Sequence, residues 1–325
     1  MPLTDLSQVK QIHLKREGIR ANILTLGASI QSIHLDGYPH SVVLGSPNFA
    51  DYLGSCRYFG AIVGRVANRI AHSRAMIGDK EYLLTPSSPS PHQLHGGPAG
   101  TDCKNWRIIA QSDDAVQLQV TLEDGEMGYP GRMQIQVEYQ LLSQGLEMRI
   151  QATSNQLTLC NIAGHSYFNL DGQGSILDHQ LKVVADHYLP VNDDLIPTGE
   201  VTPTHGSAYD FNHLRTIGRD DYLGLDTNFC LSLAPRVLQE VAVLKAPLTG
   251  LSLHLLTTEP GLQVYDARHV DLAASANINQ HPLGAYAGLA LEAQHWPDAV
   301  HHSHFPPILL AQGETYEQTT QYLFR

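Results

Sequence analysis

Val116-Gln117-Leu118-Gln119-Val120-Thr121-Leu122 is the stretch that decides the fold class. Apolar and polar residues alternate without a break, which is the period of a β-strand with one dry face. Residues 123–131 follow, with Asp124-Gly125 and Pro130-Gly131 as turn signatures. Alternation resumes in Met133-Gln134-Ile135-Gln136-Val137-Glu138-Tyr139, turns at Ser143-Gln144-Gly145, and resumes in Leu146-Glu147-Met148-Arg149-Ile150. Three consecutive antiparallel strands are predicted. Similar short strands are expected over 21–26, 181–184, 251–257 and 289–292, and one short helical turn over 48–53. No internal repeat, low-complexity tract or Pro/Gly/Ser-rich linker divides the chain. The pattern predicts an all-β protein. Residues 1–325 form a single large antiparallel β-sandwich with few short helices, and its rim loops are where chemistry usually sits.

Composition narrows the function classes. The 325 residues are 42% hydrophobic and 16% charged, an ordinary globule with a large core. A net charge of −12 repels phosphate backbones and anionic bilayers, so neither nucleic acid nor membrane is an expected partner. No apolar run is long enough to span a bilayer, and residues 1–10 lack a signal-peptide pattern. Cys56, Cys103, Cys160 and Cys230 are scattered, which fits reduced thiols in a cytoplasmic protein rather than a zinc cluster or disulfide framework. No interface stripe is readable, so a monomer and a homodimer are both compatible with the chain.

Two stretches carry candidate chemistry. Leu291-Glu292-Ala293-Gln294-His295-Trp296-Pro297 places a carboxylate where an apolar run breaks into a loop, and Gly164-His165-Ser166-Tyr167-Phe168-Asn169-Leu170 does the same with a histidine. A carboxylate and an imidazole from two strand ends are the parts needed for paired general base and general acid work. Each also has a plainer reading, Glu292 as a solvated carboxylate and His165 as a turn or core histidine. Asn68-Arg69 offers an amide beside a guanidinium fork, and both can reach one ligand only where the strand is irregular or ending. His95 precedes Gly96-Gly97, where the backbone can turn sharply. Asp226 is equally readable as an Asx-turn residue, Gln263 as an outward strand residue, and Trp296 as a core aromatic.

Taken in order, the motifs are Gly64-Arg65-Val66-Ala67-Asn68-Arg69-Ile70, Leu94-His95-Gly96-Gly97, Gly128-Tyr129-Pro130-Gly131 and His165-Ser166-Tyr167-Phe168-Asn169-Leu170. Tyr188-Leu189-Pro190, Ile196-Pro197-Thr198-Gly199-Glu200, Asp226-Thr227-Asn228-Phe229, Glu259-Pro260-Gly261-Leu262-Gln263-Val264-Tyr265 and Leu291-Glu292-Ala293-Gln294 complete the series. The series resembles the aldose 1-epimerases, the galactose mutarotases, from about Gly60 to Thr319-Thr320. The resemblance implies the supersandwich of that family and interconversion of the α and β anomers of a free monosaccharide by ring opening. It implies Glu292 as general base, His165 as general acid, and Asn68, Arg69, His95, Asp226 and Gln263 as sugar-binding residues, with no metal and no cofactor. Reference pKa values of about 4.3 for Glu and 6.5 for His suit these roles.

The chain departs from the family pattern at Gly164, Thr227, Asp266-Ala267-Arg268 and, after the Pro-Asp-Ala motif, at His301, His302 and His304. Thr227 and Arg268 are expected to bear on sugar preference: another epimer, a pentose or a deoxysugar. Three other readings stand beside the epimerase. A metal-dependent hydrolase would use His295, His301, His302 and His304, although no metal-ligand spacing is present. A silent carbohydrate-binding protein of the same fold would need neither acid nor base. A glycosidase would need two opposed carboxylates, with Asp226 as the second.

Overall fold

The computed structural model describes residues 5–325, with the backbone alone described over 272–276. The three predicted strands form at Ala115–Leu122, Met133–Leu142 and Gly145–Ser154. They are antiparallel, with Leu118 opposite Val137 and Val137 opposite Ile150. Because the side-chain period is two, that register puts all the apolar residues of the three strands except the terminal Ala115 and Leu142 on one face.

This face continues across a nine-stranded sheet. Arg107–Gln111 lies at one edge, and beyond Gly145–Ser154 come Thr315–Phe324, Ser252–Thr257, Gln239–Lys245, Gln180–Val183 and Arg215–Thr216. A six-stranded antiparallel sheet lies over it, in the order Tyr167–Phe168, Leu289–Gln294, Gly261–Tyr265, Asp226–Cys230, His187–Tyr188 and Thr202–Pro203. Val137, Ile150, Leu255 and Tyr322 from the first sheet share one core with Leu291, Leu262, Val264 and Phe229 from the second. Each such side chain contributes about 1.5–3 kcal/mol on burial. Gln318 in the large sheet donates to the Ala293 carbonyl in the small one, 2.8 Å away. A three-stranded sheet, Gln11–Arg16, Ile19–Leu24 and Ile30–Leu35, adds its apolar face to the same core.

Among the described residues no helix is as long as seven residues. The expected turn forms as a five-residue 3-10 helix, Phe49–Leu53, capped by Asn48. The strand expected over 21–26 lies at Ile19–Leu24, since Gly27 and Ala28 take positive φ and turn the chain. The strand expected over 289–292 runs on to Gln294, pairing Ala293 with Leu262 and Gln294 with Gly261. Glu292 is therefore mid-strand rather than at a strand end. The polar residues taken as the end of the apolar run simply face the other side of the sheet.

Candidate active site

That other side is the floor of a cleft. Register sets Glu292 opposite Gln263 and Gln263 opposite Asn228, while Ala290 stands opposite Tyr265 and Tyr265 opposite Asp226. Alternation sends Leu291, Leu262, Val264 and Phe229 to the core and leaves these polar groups on the outer face. Tyr58, Asn68, Arg69, Leu94 and His95, which lie outside that sheet, form the facing wall. The cleft measures about 210 Å³ and is lined by Glu292, His165, Asn68, Arg69, His95 and Asp226, together with Tyr58, Leu94, Tyr167, Leu195, Tyr265 and His269. That is below the roughly 300–1,000 Å³ of drug-sized sites and suits one small ring.

His165 sits between the two-residue strands Ala163–Gly164 and Tyr167–Phe168. Its backbone N–H donates to the Ala61 carbonyl at 2.9 Å, and its carbonyl accepts from Gly60 at 3.0 Å. Gly164 faces the core, where a Cβ would come within 3.0 Å of the Met148 sulfur. The His165 ring stacks on Tyr58 with centroids 5.9 Å apart and leans on Tyr167 at 5.0 Å. Its Nε2 lies 3.5 Å from Glu292 Oε1. Both side chains are buried.

Burial moves the pair from its reference values. Desolvation, then the nearby Asp226 carboxylate, pushes Glu292 well above the usual range against the opposing pull of Arg69. Desolvation lowers His165 to about 4. The order expected from reference values is thus inverted, and in the empty cleft the proton the two share favours the carboxyl.

Asn68 and Arg69 reach the same cleft for the reason the sequence required. Asn68 has φ +62°, and the two-residue strand Arg69–Ile70 begins after it. Arg69 pairs with Leu94 across the short ladder to Gln93–Leu94, which brings Asn68 and His95 side by side. The Asn68 N–H donates to His95 Nδ1 at 3.1 Å, and the His95 N–H donates to the Asn68 carbonyl at 3.0 Å. His95, Gly96 and Gly97 all have positive φ. Gly96 is obligatory there, because a Cβ would lie 1.9 Å from the Gly64 carbonyl oxygen.

The Asn68 amide fixes the His95 tautomer. A ring whose Nδ1 accepts must carry its proton on Nε2, so His95 shows the cleft an N–H donor. Burial, His165 and the Arg69 and Arg57 charges hold it neutral. Among the described residues, the trio close enough to share a metal ion is His95, His165 and Glu292, with ligand atoms within 4.8 Å of one another. A metal would need the His95 Nε2 lone pair, which this tautomer withholds, so the donor set does not fit one. His301 and His302 turn instead to Asp298, and His304 to the Gly199 carbonyl, and among the described residues these loop histidines do not join a group close enough to share a metal.

Asp226 Oδ1 accepts from Gln263 Nε2 at 2.6 Å, and its Oδ2 is 4.0 Å from Arg69. Gln263 lines a small chamber beside the cleft rather than the cleft itself. Asp226 and Glu292 rise from one face of one sheet, on strands separated by Gly261–Tyr265, and so do not flank a bond from opposite sides. Trp296 is buried against Phe305 and donates to the Pro260 carbonyl.

Two expectations about specificity are corrected. Thr227 alternates with Asp226 and Asn228 and faces away from the cleft. Arg268 grips Asp266 with two hydrogen bonds of 3.1 and 2.9 Å and packs over Gly224, away from the lining. The sequence reading missed Tyr58, Tyr167, Leu195, Tyr265 and His269. Tyr167 and Tyr265 lie within quoted motifs and were readable by strand alternation, whereas Tyr58, Leu195 and His269 arrive on loops without a periodic signal.

Comparison with known proteins agrees with this geometry. The family model described as aldose 1-epimerase matches residues 10–323. A mouse galactose mutarotase is 39% identical over 97% of this chain and 94% of its own length. An Escherichia coli aldose 1-epimerase is 32% identical over 94% of this chain and 92% of its own. The crystal structure of an aldose epimerase homologue from C. elegans superposes with a TM-score of 0.91 at 26% identity, covering 98% of this chain and 99% of that one. A galactose 1-epimerase from Lactobacillus acidophilus gives 0.81 at 26% identity, over 98% of each chain. The chain belongs to the aldose 1-epimerase family.

Proposed function

We propose that this protein interconverts the α and β anomers of a free hexose of the galactose or glucose type, with Glu292 and His165 as the proton-transferring pair. The observation that carries this reading is the buried pair, 3.5 Å apart, on a cleft also lined by amide, guanidinium, carboxylate and aromatic side chains. Ring opening removes the proton from the C1 hydroxyl and delivers one to the ring oxygen. Glu292, as carboxylate, takes the first; His165, as imidazolium, gives the second, and the C1–O5 bond breaks. After rotation about C1–C2 the steps reverse and both protons return, so no atom or electron is gained or lost.

One proton shared by the pair is the working inventory. With it on Glu292 the pair is uncharged; on His165 it makes the reactive ion pair. Sugar hydroxyls replace lost water around that ion pair, and the fixed Nε2–H of His95 points where charge builds on the ring oxygen. A second proton, taken up as pH falls through about 4, removes the base. Loss of the shared proton at high pH removes the acid.

Arg69, Asp226 and Asn68 supply donors and acceptors for ring hydroxyls, and the Tyr58 and Tyr167 rings offer apolar faces. A silent binder would have no use for a buried acid–base pair that opens onto its sugar cleft. We place the protein in the cytoplasm as one catalytic domain, monomeric or homodimeric, which its four free buried thiols suit. Among the described residues no helix is long and apolar enough to cross a membrane. NMR exchange between the anomers of D-galactose and D-glucose tests the reading. Exchange accelerated by catalytic protein, before and after chelator treatment, is expected. Tight sugar binding without accelerated exchange would overturn it in favour of the binder.

A further inference from the structure

Beside the cleft lies a small chamber of about 10 Å³, bounded by Arg69, Leu195, Asp226, Asn228 and Gln263 among others. That is close to the minimum that holds one water-sized group. Asn228 is 2% exposed, and among the described residues neither its Nδ2 nor its Oδ1 has a hydrogen-bond partner. The Cys230 thiol neighbours the amide and is at most a weak partner for one end of it. A buried amide with no strong partner at either end calls for a group that donates and accepts, which a hydroxyl does.

Register fixes where such a hydroxyl would come from. Glu292, Gln263 and Asn228 are successive cross-strand partners, so Asn228 stands two strand spacings, roughly 9–10 Å, from the carboxylate. A ring with its anomeric carbon between Glu292 and His165, laid along this row of residues, would direct its C3–C4 edge toward the chamber. Leu195 lines both cleft and chamber, the one apolar side chain among the four residues they share, the others being Asn68, Arg69 and Asp226. Its φ of +61° is unusual for a leucine. A turn imposes it: Leu195 N–H donates to the Asn192 carbonyl at 2.9 Å, and Asn192 Oδ1 accepts from the Asp194 and Ile196 amides. A strained aliphatic side chain held at a ligand cleft points to a role in the fit.

We infer that the chamber is an inner subsite in which Asn228 reads one hydroxyl on the C3–C4 edge of the sugar, with Leu195 controlling entry. The inference rests on the ring-opening function proposed above. Its test measures kcat/KM for D-glucose and its 2-deoxy, 3-deoxy and 4-deoxy analogues. Asn228→Ala should lower the value roughly 10–100-fold on glucose and 2-deoxyglucose. On whichever of the 3-deoxy or 4-deoxy sugars lacks the hydroxyl being read, the loss should be less than about twofold. An equal loss on all four sugars, or no loss on any, would overturn it. Leu195→Gly, whose backbone suits glycine, is the second variant: opening the chamber to water should narrow the preference for glucose over that deoxysugar by roughly tenfold. An unchanged preference contradicts the inference. Acceleration of none of the four by the wild-type protein would overturn the ring-opening function, and this inference with it.

Discussion

Two buried glutamate–histidine pairs stand on the same sheet, and only one has a cleft built for a sugar. Glu292 faces His165 at 3.5 Å; Glu259 faces His295 at 3.8 Å, near the ends of the strands that carry Gln263 and Glu292. Their electrostatics are alike. Burial raises both carboxyls, Glu259 to about 8, and lowers both imidazoles to about 4. Their surroundings differ. The Glu259 oxygen nearer His295 also accepts from Tyr316 Oη at 3.4 Å, and His295 borders a depression of about 410 Å³ where Pro, Ile and Leu side chains mix with Glu314 and Glu317, but with no amide or guanidinium. Perturbed titration is thus shared by a structural pair and a candidate catalytic pair. Amide, guanidinium and carboxylate groups converging on one small cleft are what distinguish the second.

The largest expected effect separates the pairs outright. Glu292→Gln should reduce kcat for anomer exchange roughly 10²–10⁴-fold, and Glu259→Gln by no more than a few fold, read from NMR exchange rates. His165→Asn should cost about 10² or more, with His295→Asn again close to wild type. A large loss in either Glu259 or His295 variant, with the fold intact by circular dichroism, would dissolve the distinction. Asp226→Asn, which weakens the anchor held by Gln263 and Arg69, should act mainly on KM, roughly tenfold in steady-state kinetics.

The pairs also differ in what pH reports. For the active pair, kcat/KM should hold level through pH 5–7 and fall as pH drops through about 4, where His165 takes the second proton. An acid limb centred near the ordinary histidine value of about 6.5 would contradict the burial argument. For Glu259, the folded value of about 8 lies above the reference 4.5, so its favourable contribution is complete below 4.5 and is lost as pH climbs toward 8. By pH 7 that loss is on the order of 3 kcal/mol. Glu259→Gln should therefore melt higher than wild type at pH 8, with the gain vanishing near pH 4.5 in calorimetry. The smallest effect belongs to His304→Ala on the exposed loop, within about 0.5 kcal/mol of stability and without change in kcat.

Much of this was legible in the chain. Clean alternation over 116–150 is a local property, and the three strands formed where period two placed them. The catalytic candidates were legible as motifs because each carries its chemistry within a few residues. Cross-strand placement was not legible. Nothing local to Glu292 says that Gln263 and Asn228 lie beside it, or that the strand continues past it to Gln294. Nor could spacing alone dismiss Thr227 and Arg268. Thr227 is removed by the parity of its strand, and Arg268 by an ion pair with Asp266, two residues away in sequence. Burial is likewise a tertiary quantity, which is why reference pKa values misplaced the proton between Glu292 and His165.

Polarimetry of freshly dissolved α-D-galactose, run side by side with wild type, Glu292→Gln and Glu259→Gln, is the most direct test. The account predicts rapid decay of optical rotation to equilibrium with wild type and Glu259→Gln, and decay near the uncatalysed rate with Glu292→Gln. Equal acceleration by Glu292→Gln and wild type would contradict it.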